Sequence, residues 1–185
     1  GYQAALISCN LVFYHRVLVA TLKSDKNKID ESLIGSIALT QAHVLIKQNE
    51  IELPICILNI GGIANITNIF SKEDLELISY DIGPGNCLLD ELVRSKINKR
   101  YDEDGNIAKD GKTNEIILNQ AIDNFDRIYK KHISYDVKDF NLNFIRGLSL
   151  EDGASTLTDF TAKIISNVLL NISSDLLEES GPFLL

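Results

Sequence analysis

Two glycine-bearing stretches hold the residues of this sequence whose types and spacing suit chemistry. Leu58-Asn59-Ile60-Gly61-Gly62-Ile63-Ala64-Asn65-Ile66-Thr67 puts Gly61–Gly62 at the end of an apolar run. Tyr80-Asp81-Ile82-Gly83-Pro84-Gly85-Asn86-Cys87-Leu88-Leu89-Asp90 puts a second glycine turn before a run of helical character. Glycine lets a backbone turn at positive φ or approach a ligand closely. A glycine turn that opens a helix presents N–H groups and a positive dipole end, which suits phosphate or another anion. The plain structural alternatives are a tight hairpin at Gly61–Gly62 and an ordinary strand-to-helix turn at Gly83–Gly85. Asp81, beside the second turn, has two readings. Its carboxylate holds a metal ion or a substrate hydroxyl, or it bonds local turn N–H groups. Asp90 lies one turn into the helix and favours its positive end.

Neither turn is a nucleotide motif by spacing alone. No G-x-x-x-x-G-K-[ST] occurs, and Gly83-Pro84-Gly85 has no third glycine for a dinucleotide fingerprint. His15, His43 and His132 fall in separate segments without partner spacing, which suits surface or packing roles better than ligation. Ser155 and Thr156 have no histidine nearby, so nucleophilic catalysis is not indicated. The polar run Tyr101 to Lys112 carries several carboxylates. Its glycine is misplaced for an EF-hand and no glutamate closes it, so a solvated loop is the expectation over a calcium site.

The elements that position these residues follow from period and punctuation. Pro54 to Ile60 reads as a strand, Ile66 to Phe70 as its hairpin return, and Leu75 to Ile82 as a further strand. Asn86 is expected to cap a helix to about Lys99 with a stripe of Leu88, Leu89, Leu92, Val93 and Ile97, and Lys96, Lys99 and Arg100 at its cation-favouring end. Earlier, Leu11 to Leu22 reads as a helix, and Asp30 can cap another over Glu31 to Gln48. Later, Thr113 opens a helix with Ile117, Ala121, Phe125 and Ile128 inward. Phe140 to Ile145 reads as a short helix ended by Gly147. Thr156 and Asp159 form a capping box for a last helix with Leu157, Phe160, Ile164, Val168 and Leu169 buried. Helices, then strands with hairpins, then helices predict an α/β or α+β domain with a mixed sheet covered by helices.

Composition narrows the partners. The chain has 185 residues, 45% of them hydrophobic, and a formal charge of −8. That is enough apolar material for one core of ordinary domain size. The acidic balance argues against a nucleic-acid groove, while backbone N–H groups leave small anions open as ligands. No apolar run approaches the roughly 20 residues of a membrane helix, and no signal peptide is visible. Cys9, Cys56 and Cys87 are odd in number and lack a C-x-x-C pair, which fits a reduced, cytoplasmic compartment. There is no methionine, even at position 1, so the chain is expected to be processed or part of something longer.

The two glycine stretches together closely resemble the anhydro-N-acetylmuramic acid kinases. Further segments match in the same order. Tyr101-Asp102-Glu103-Asp104-Gly105-Asn106-Ile107-Ala108 is similar to that family's Y-D-x-D-G-x-x-A. Asp139-Phe140-Asn141-Leu142 resembles the stretch after its P-P-K-S-T-G-R-E. Thr156-Leu157-Thr158-Asp159-Phe160-Thr161-Ala162 resembles its A-T-L-T-x-F-T-A. The resemblance runs unbroken from Ile51 to about Leu170. It implies an actin-like ATPase (ribonuclease H-like) fold, here incomplete, in which two α/β domains close on ATP and Mg2+. Such kinases open the 1,6-anhydro ring of anhydro-N-acetylmuramic acid and phosphorylate its 6-oxygen in peptidoglycan recycling. The resemblance further implies that Gly61, Gly62 and Asn65 bind the ATP phosphates. Asp81, Gly83, Gly85 and Asn86 would line the same cleft, with Asp81 as the candidate contact to Mg2+.

The departures shape the remaining expectations. The first-domain loop G-T-S-x-D-G-x-D is absent, and the family's aspartate base would fall before Gly1. Its G-G-G-A-x-N, expected after the last helix, is replaced by Glu178-Glu179-Ser180-Gly181-Pro182-Phe183. Ile82 stands where the family usually has threonine, and Ile133-Ser134-Tyr135-Asp136 loses the lysine of K-S-T-G. Residues 1–50 are therefore expected to be a partial, mostly helical link to the first domain, 51–175 the second α/β domain, and 176–185 a divergent tail. The chain alone is expected to have little kinase activity. A homodimer or a complementing first-domain chain would be its partner. The alternative is a non-catalytic remnant, or a binding or dimerisation module.

Overall fold

The computed structural model describes residues 17–20, 55–69, 77–129 and 134–179, with side-chain surroundings for 55–69, 78–129 and 134–171. The expected helix over 31–48, the three histidines and Cys9 lie outside these residues.

Among the described residues, four strands form one sheet in the order β1-β2-β3-β4: Val17–Ala20, Ile55–Ile60, Ile63–Ile69 and Leu77–Pro84. β1 runs parallel to β2, with Val17 opposite Cys56 and Ala20 opposite Asn59. β2, β3 and β4 form an antiparallel meander, so the sheet is mixed. β1 corrects the helix expected from Leu11 to Leu22. Val17-Leu18-Val19-Ala20 suits either state locally, and pairing with β2 decides for the extended one.

Alternation along β2 and β3 defines the faces. Cys56, Leu58 and Ile60 of β2, Ala64 and Ile66 of β3, and Ile82 of β4 pack on Ile165 and Leu169. These last two belong to the long helix α4, Leu150–Glu179. A second cluster joins three helices. Leu88 and Leu92 come from α1 (Cys87–Ile97), and Leu118, Ala121 and Phe125 from α3 (Glu115–Ile128). Ala154, Leu157, Phe160 and Ile164 come from α4. One helix thus serves both the sheet and the helical layer.

Several local expectations change. The run Tyr101 to Lys112 is not a plain loop: it makes a 3-10 turn, Glu103–Gly105, and a short helix α2, Asn106–Asp110. The Asp102 carboxylate accepts from Ile107 N and Ala108 N, both at 2.9 Å, so its oxygens serve the start of α2 rather than a cation. α3 is capped by Asn114, whose Oδ1 accepts from Ile117 N at 3.1 Å, one residue beyond the expected Thr113. Its buried face shifts to Leu118, Ala121 and Phe125, and Ile128 is 64% exposed. The expected helix at Phe140 to Ile145 is a single 3-10 turn, Asn143–Ile145, followed by Gly147 at φ 93°.

The largest shift concerns α4. It begins two turns before the expected capping box, where Ser149 Oγ accepts from Asp152 N at 3.0 Å. Gly153 obscures this start in the sequence, since glycine is a poor helix former. Its lack of a side chain has a use, because a Cβ there would lie 3.2 Å from Leu92 Cδ2 where α1 and α4 meet. Thr156 is therefore mid-helix and fully buried. Its hydroxyl donates to the Asp152 carbonyl at 2.7 Å and accepts from Asn114 N at 3.0 Å. Thr156→Val keeps the shape but leaves that buried N–H unpaired. It should cost about 1–3 kcal/mol, read as a lowered urea midpoint; an unchanged midpoint would rule out this acceptor role.

Candidate functional site

The two glycine turns are in contact. Gly61–Gly62 links β2 to β3, and its carbonyls face the start of α1. Asn86 N donates to Gly61 O at 2.8 Å; Gly85 N and Cys87 N donate to Gly62 O at 3.0 and 3.1 Å. The Asn86 amide adds Nδ2 to Gly61 O at 3.0 Å and to Ile60 O at 3.4 Å. From α4, Thr161 Oγ donates to Gly85 O at 2.9 Å and Pro84 O at 3.3 Å.

This arrangement corrects two expectations. The N–H groups of Gly85, Asn86 and Cys87, which lead into α1, are not free for an anion, because all three are bonded to the neighbouring turn. Asn86 occupies the cap position without a side-chain cap bond and ties down Gly61 instead. None of Gly61, Gly62 and Gly85 has positive φ, and of the three only Gly85 is required by close contact. A Cβ on Gly85 would sit 2.3 Å from Gly61 O, a distance no side chain tolerates. Gly83 does take φ 149°, and a Cβ there would lie 3.0 Å from both Phe125 and Ile164. Gly83 and Gly85 are buried supports, whereas Gly62 is exposed at the tip of its turn.

A polar row crosses the sheet next to this turn. Asn59 is paired with Asn65, and Asn65 with Asp81. Their chain neighbours Leu58, Ile60, Ala64, Ile66 and Ile82 are buried beneath α4. The three polar side chains therefore leave the sheet on the opposite face, each half-buried. Asn59 is the member that motif reading missed; it is marked in the sequence as the polar residue that interrupts the apolar run of β2. Ile82, by contrast, points into the core, so the threonine usual in the family would not reach this row.

Asp81 Oδ2 accepts from Tyr135 N at 2.8 Å, a partner 54 residues away rather than a local turn N–H. Burial pushes the Asp81 carboxyl above its ordinary range, and the Tyr135 hydrogen bond pulls it partly back. The segment beyond Tyr135 passes close to the turn, with Val137 Cγ2 4.0 Å from the position of a Cβ on Gly62. Among the described residues no three His, Cys, Asp or Glu side chains gather to hold a metal. Asp81 alone, with one oxygen committed, does not build a magnesium site. Cys56 and Cys87 are buried thiols pushed up to about 12 and about 11 by desolvation, unsuited to nucleophilic work at neutral pH. Asp90 lies in the first turn of α1, 3.9 Å from Arg94.

A clamped glycine turn beside a polar row is what the two sequence motifs encode together. The family model described as anhydro-N-acetylmuramic acid kinase matches residues 35–180. The chain belongs to the anhydro-N-acetylmuramic acid kinase family. The anhydro-N-acetylmuramic acid kinase of Pelagibacter ubique is 58% identical over 135 residues, covering 72% of this chain and 36% of the relative. That of Zymomonas mobilis is 39% identical over 123 residues, covering 65% and 33%. That of Caulobacter vibrioides is 40% identical over 114 residues, covering 60% and 30%. The chain spans about a third of the length of these curated relatives.

Two measurements check the site. Gly85→Ala forces the turns apart and should cost about 1–3 kcal/mol in urea unfolding; a neutral result would mean that the turns are not in contact. For Asp81, a folded pKa above the unfolded one means that its stabilising contribution is full at low pH and is lost as pH rises through the folded value. Asp81→Asn removes this loss and keeps an acceptor for Tyr135. Between about pH 3 and pH 7, the native protein should lose stability relative to the variant; parallel pH profiles would contradict the raised pKa.

Proposed function

We propose that this chain forms the second α/β domain of an actin-like, ribonuclease H-like sugar kinase that acts in the cytoplasm on 1,6-anhydro-N-acetylmuramic acid with ATP and Mg2+. The observation that carries the reading is the Gly61–Gly62 turn. It is clamped from behind by the residues that open α1, exposed at Gly62, and flanked by Asn65 within a chain of this kinase family. Gly61, Gly62 and Asn65 face the phosphates in this reading. Gly83, Gly85 and Asn86 act by holding the turn in place. Asn59 joins Asn65 and Asp81 as a polar wall of the same cleft.

In the reaction, water activated by a carboxylate base adds to the anomeric carbon, the bond from that carbon to the 6-oxygen breaks, and the 6-oxygen takes the γ-phosphoryl group of ATP. ADP leaves. A domain of this kind contributes position and charge stabilisation, which dominate phosphoryl transfer. No acid or base for the step is assigned to these residues. Mg2+ would neutralise phosphate charge and arrive with the nucleotide, taking most of its ligands from phosphate and water. A first-domain chain or a second copy would complete the cleft.

Ligand that binds only the folded state raises the melting midpoint, by about 2.7 kcal/mol of stability at a hundred times its Kd. ATP with Mg2+ should therefore shift the melt of the purified chain. Gly62→Ala has room for its methyl group and should fold normally, yet it narrows the approach to the turn. It should reduce the shift while leaving the ligand-free midpoint unchanged. A cooperative melt with no response to ATP would sink the phosphate-turn reading and favour a remnant without nucleotide chemistry.

A further inference from the structure

The family resemblance makes Asp81 a candidate contact to magnesium, but its observed partner is a backbone amide. Asp81 Oδ2 receives Tyr135 N–H at 2.8 Å from the segment that follows α3. That segment is a rigid unit of its own. Asp136 Oδ1 accepts from Lys138 N at 2.9 Å, Asp139 Oδ2 accepts from Asp136 N at 2.8 Å, and the two together close a capping box around the 3-10 turn Val137–Asp139. Its tyrosine is also anchored by rings. The Tyr135 ring stacks on Tyr129 with centroids 6.3 Å apart and lies 5.4 Å from Phe140, while Phe125 meets both Tyr129 and Phe140.

The segment is thus held at two points, by an aromatic cluster on the helical layer and by one carboxylate on strand β4. Between those points Val137 Cγ2 lies 4.0 Å from where a Cβ on Gly62 would be. We infer that Asp81 is a positioning residue: its carboxylate fixes the Ser134–Phe140 segment as a wall beside the Gly61–Gly62 turn. Without the tether, the ring contacts would still hold Tyr135 near α3, but the register of Val137 against Gly62 would be lost. The role requires a hydrogen-bond acceptor, not a charge. A metal ligand requires the reverse, since a carboxamide is a poor substitute for a carboxylate on Mg2+. The wall itself is independent of any ligand; its effect on nucleotide binding rests on the kinase reading above.

The test uses amide hydrogen exchange on the full chain, followed by the ATP–Mg2+ melt. A hydrogen bond to a charged acceptor is strong enough that its loss should speed local exchange by about tenfold or more. In Asp81→Ala the amides of Tyr135 and Val137 to Phe140 should exchange faster by that factor, while β2 and β3 stay protected. Asp81→Asn should restore protection. Asp81→Leu, which keeps side-chain volume but offers no acceptor, should reproduce the Asp81→Ala pattern over Val137 to Phe140 and serves if Asp81→Ala does not fold. In the melt, Asp81→Ala should weaken the ATP–Mg2+ shift and Asp81→Asn should keep it. Wild-type exchange at Tyr135 in Asp81→Ala overturns the inference. So does an Asp81→Asn protein that keeps Tyr135 protected but loses its ATP–Mg2+ shift, which would assign the carboxylate to the ligand. A chain that ignores ATP in every form, with the exchange pattern as expected, supports the tether and refutes the nucleotide reading alone.

Discussion

The contact between the Gly61 carbonyl and the backbone of Gly85 is the constraint on which the rest of the site depends. A Cβ at residue 85 would sit 2.3 Å from that oxygen, so the two turns meet only because one of them has no side chain. Once they meet, Gly85 N, Asn86 N and Cys87 N find acceptors in Gly61 and Gly62, so donors leading into α1 that would otherwise need water are satisfied internally. The same bonds set the direction in which α1 leaves the sheet. They also fix the hairpin that carries Asn59 and Asn65, and so align the polar row across three strands.

α4 holds this junction from outside. Thr161 reaches the carbonyls of Pro84 and Gly85, while Ile164 and Phe125 fill the space left by Gly83. The same helix binds the loop before α3 through a run of polar contacts. Asp152 accepts from Lys112 N, Thr156 accepts from Asn114 N, and Thr113 bonds both Ser155 and Asp159. Gly111 lies under the Glu151 carbonyl, where a Cβ would be only 2.0 Å away. Apolar contacts supply the driving force for these packings. The close glycines and buried hydroxyls give them one register, because a slip would leave a donor unpaired or bring a carbonyl into a methyl group.

The chemistry that follows is a division of labour between two kinds of glycine position. Buried glycines let backbone meet backbone, and the exposed Gly62 leaves the tip of the turn open. A turn braced in this way loses little freedom when something binds, which favours positioning over flexibility. Placing the polar row on the face away from α4 keeps the carboxamides and the carboxylate of Asp81 out of the core. Burial raises the protonation equilibrium of Asp81 only partway, because one strong hydrogen bond compensates the carboxylate form.

Local sequence was sufficient for much of this architecture. A short apolar run ended by Gly-Gly marks β2 and its hairpin return β3 within a few residues, Gly83-Pro84-Gly85 ends β4, and Leu88, Leu92 and Val93 mark the inner face of α1, because short-range pattern and turn chemistry determine those features by themselves. The paired motifs also sufficed to reach the kinase family. Long-range competition decided the rest. Val17–Ala20 becomes a strand only because β2 offers it a partner. Asn86 abandons its cap for Gly61, and Asp81 bonds Tyr135 across 54 residues of chain. Thr156 turns from an expected cap into a buried acceptor once Ser149 starts the helix earlier. A polar side chain has several acceptable local partners of similar energy, and which one it takes depends on the distant backbone group that burial would otherwise leave unsatisfied. No spacing rule within the sequence encodes that choice; only the packed tertiary structure makes it.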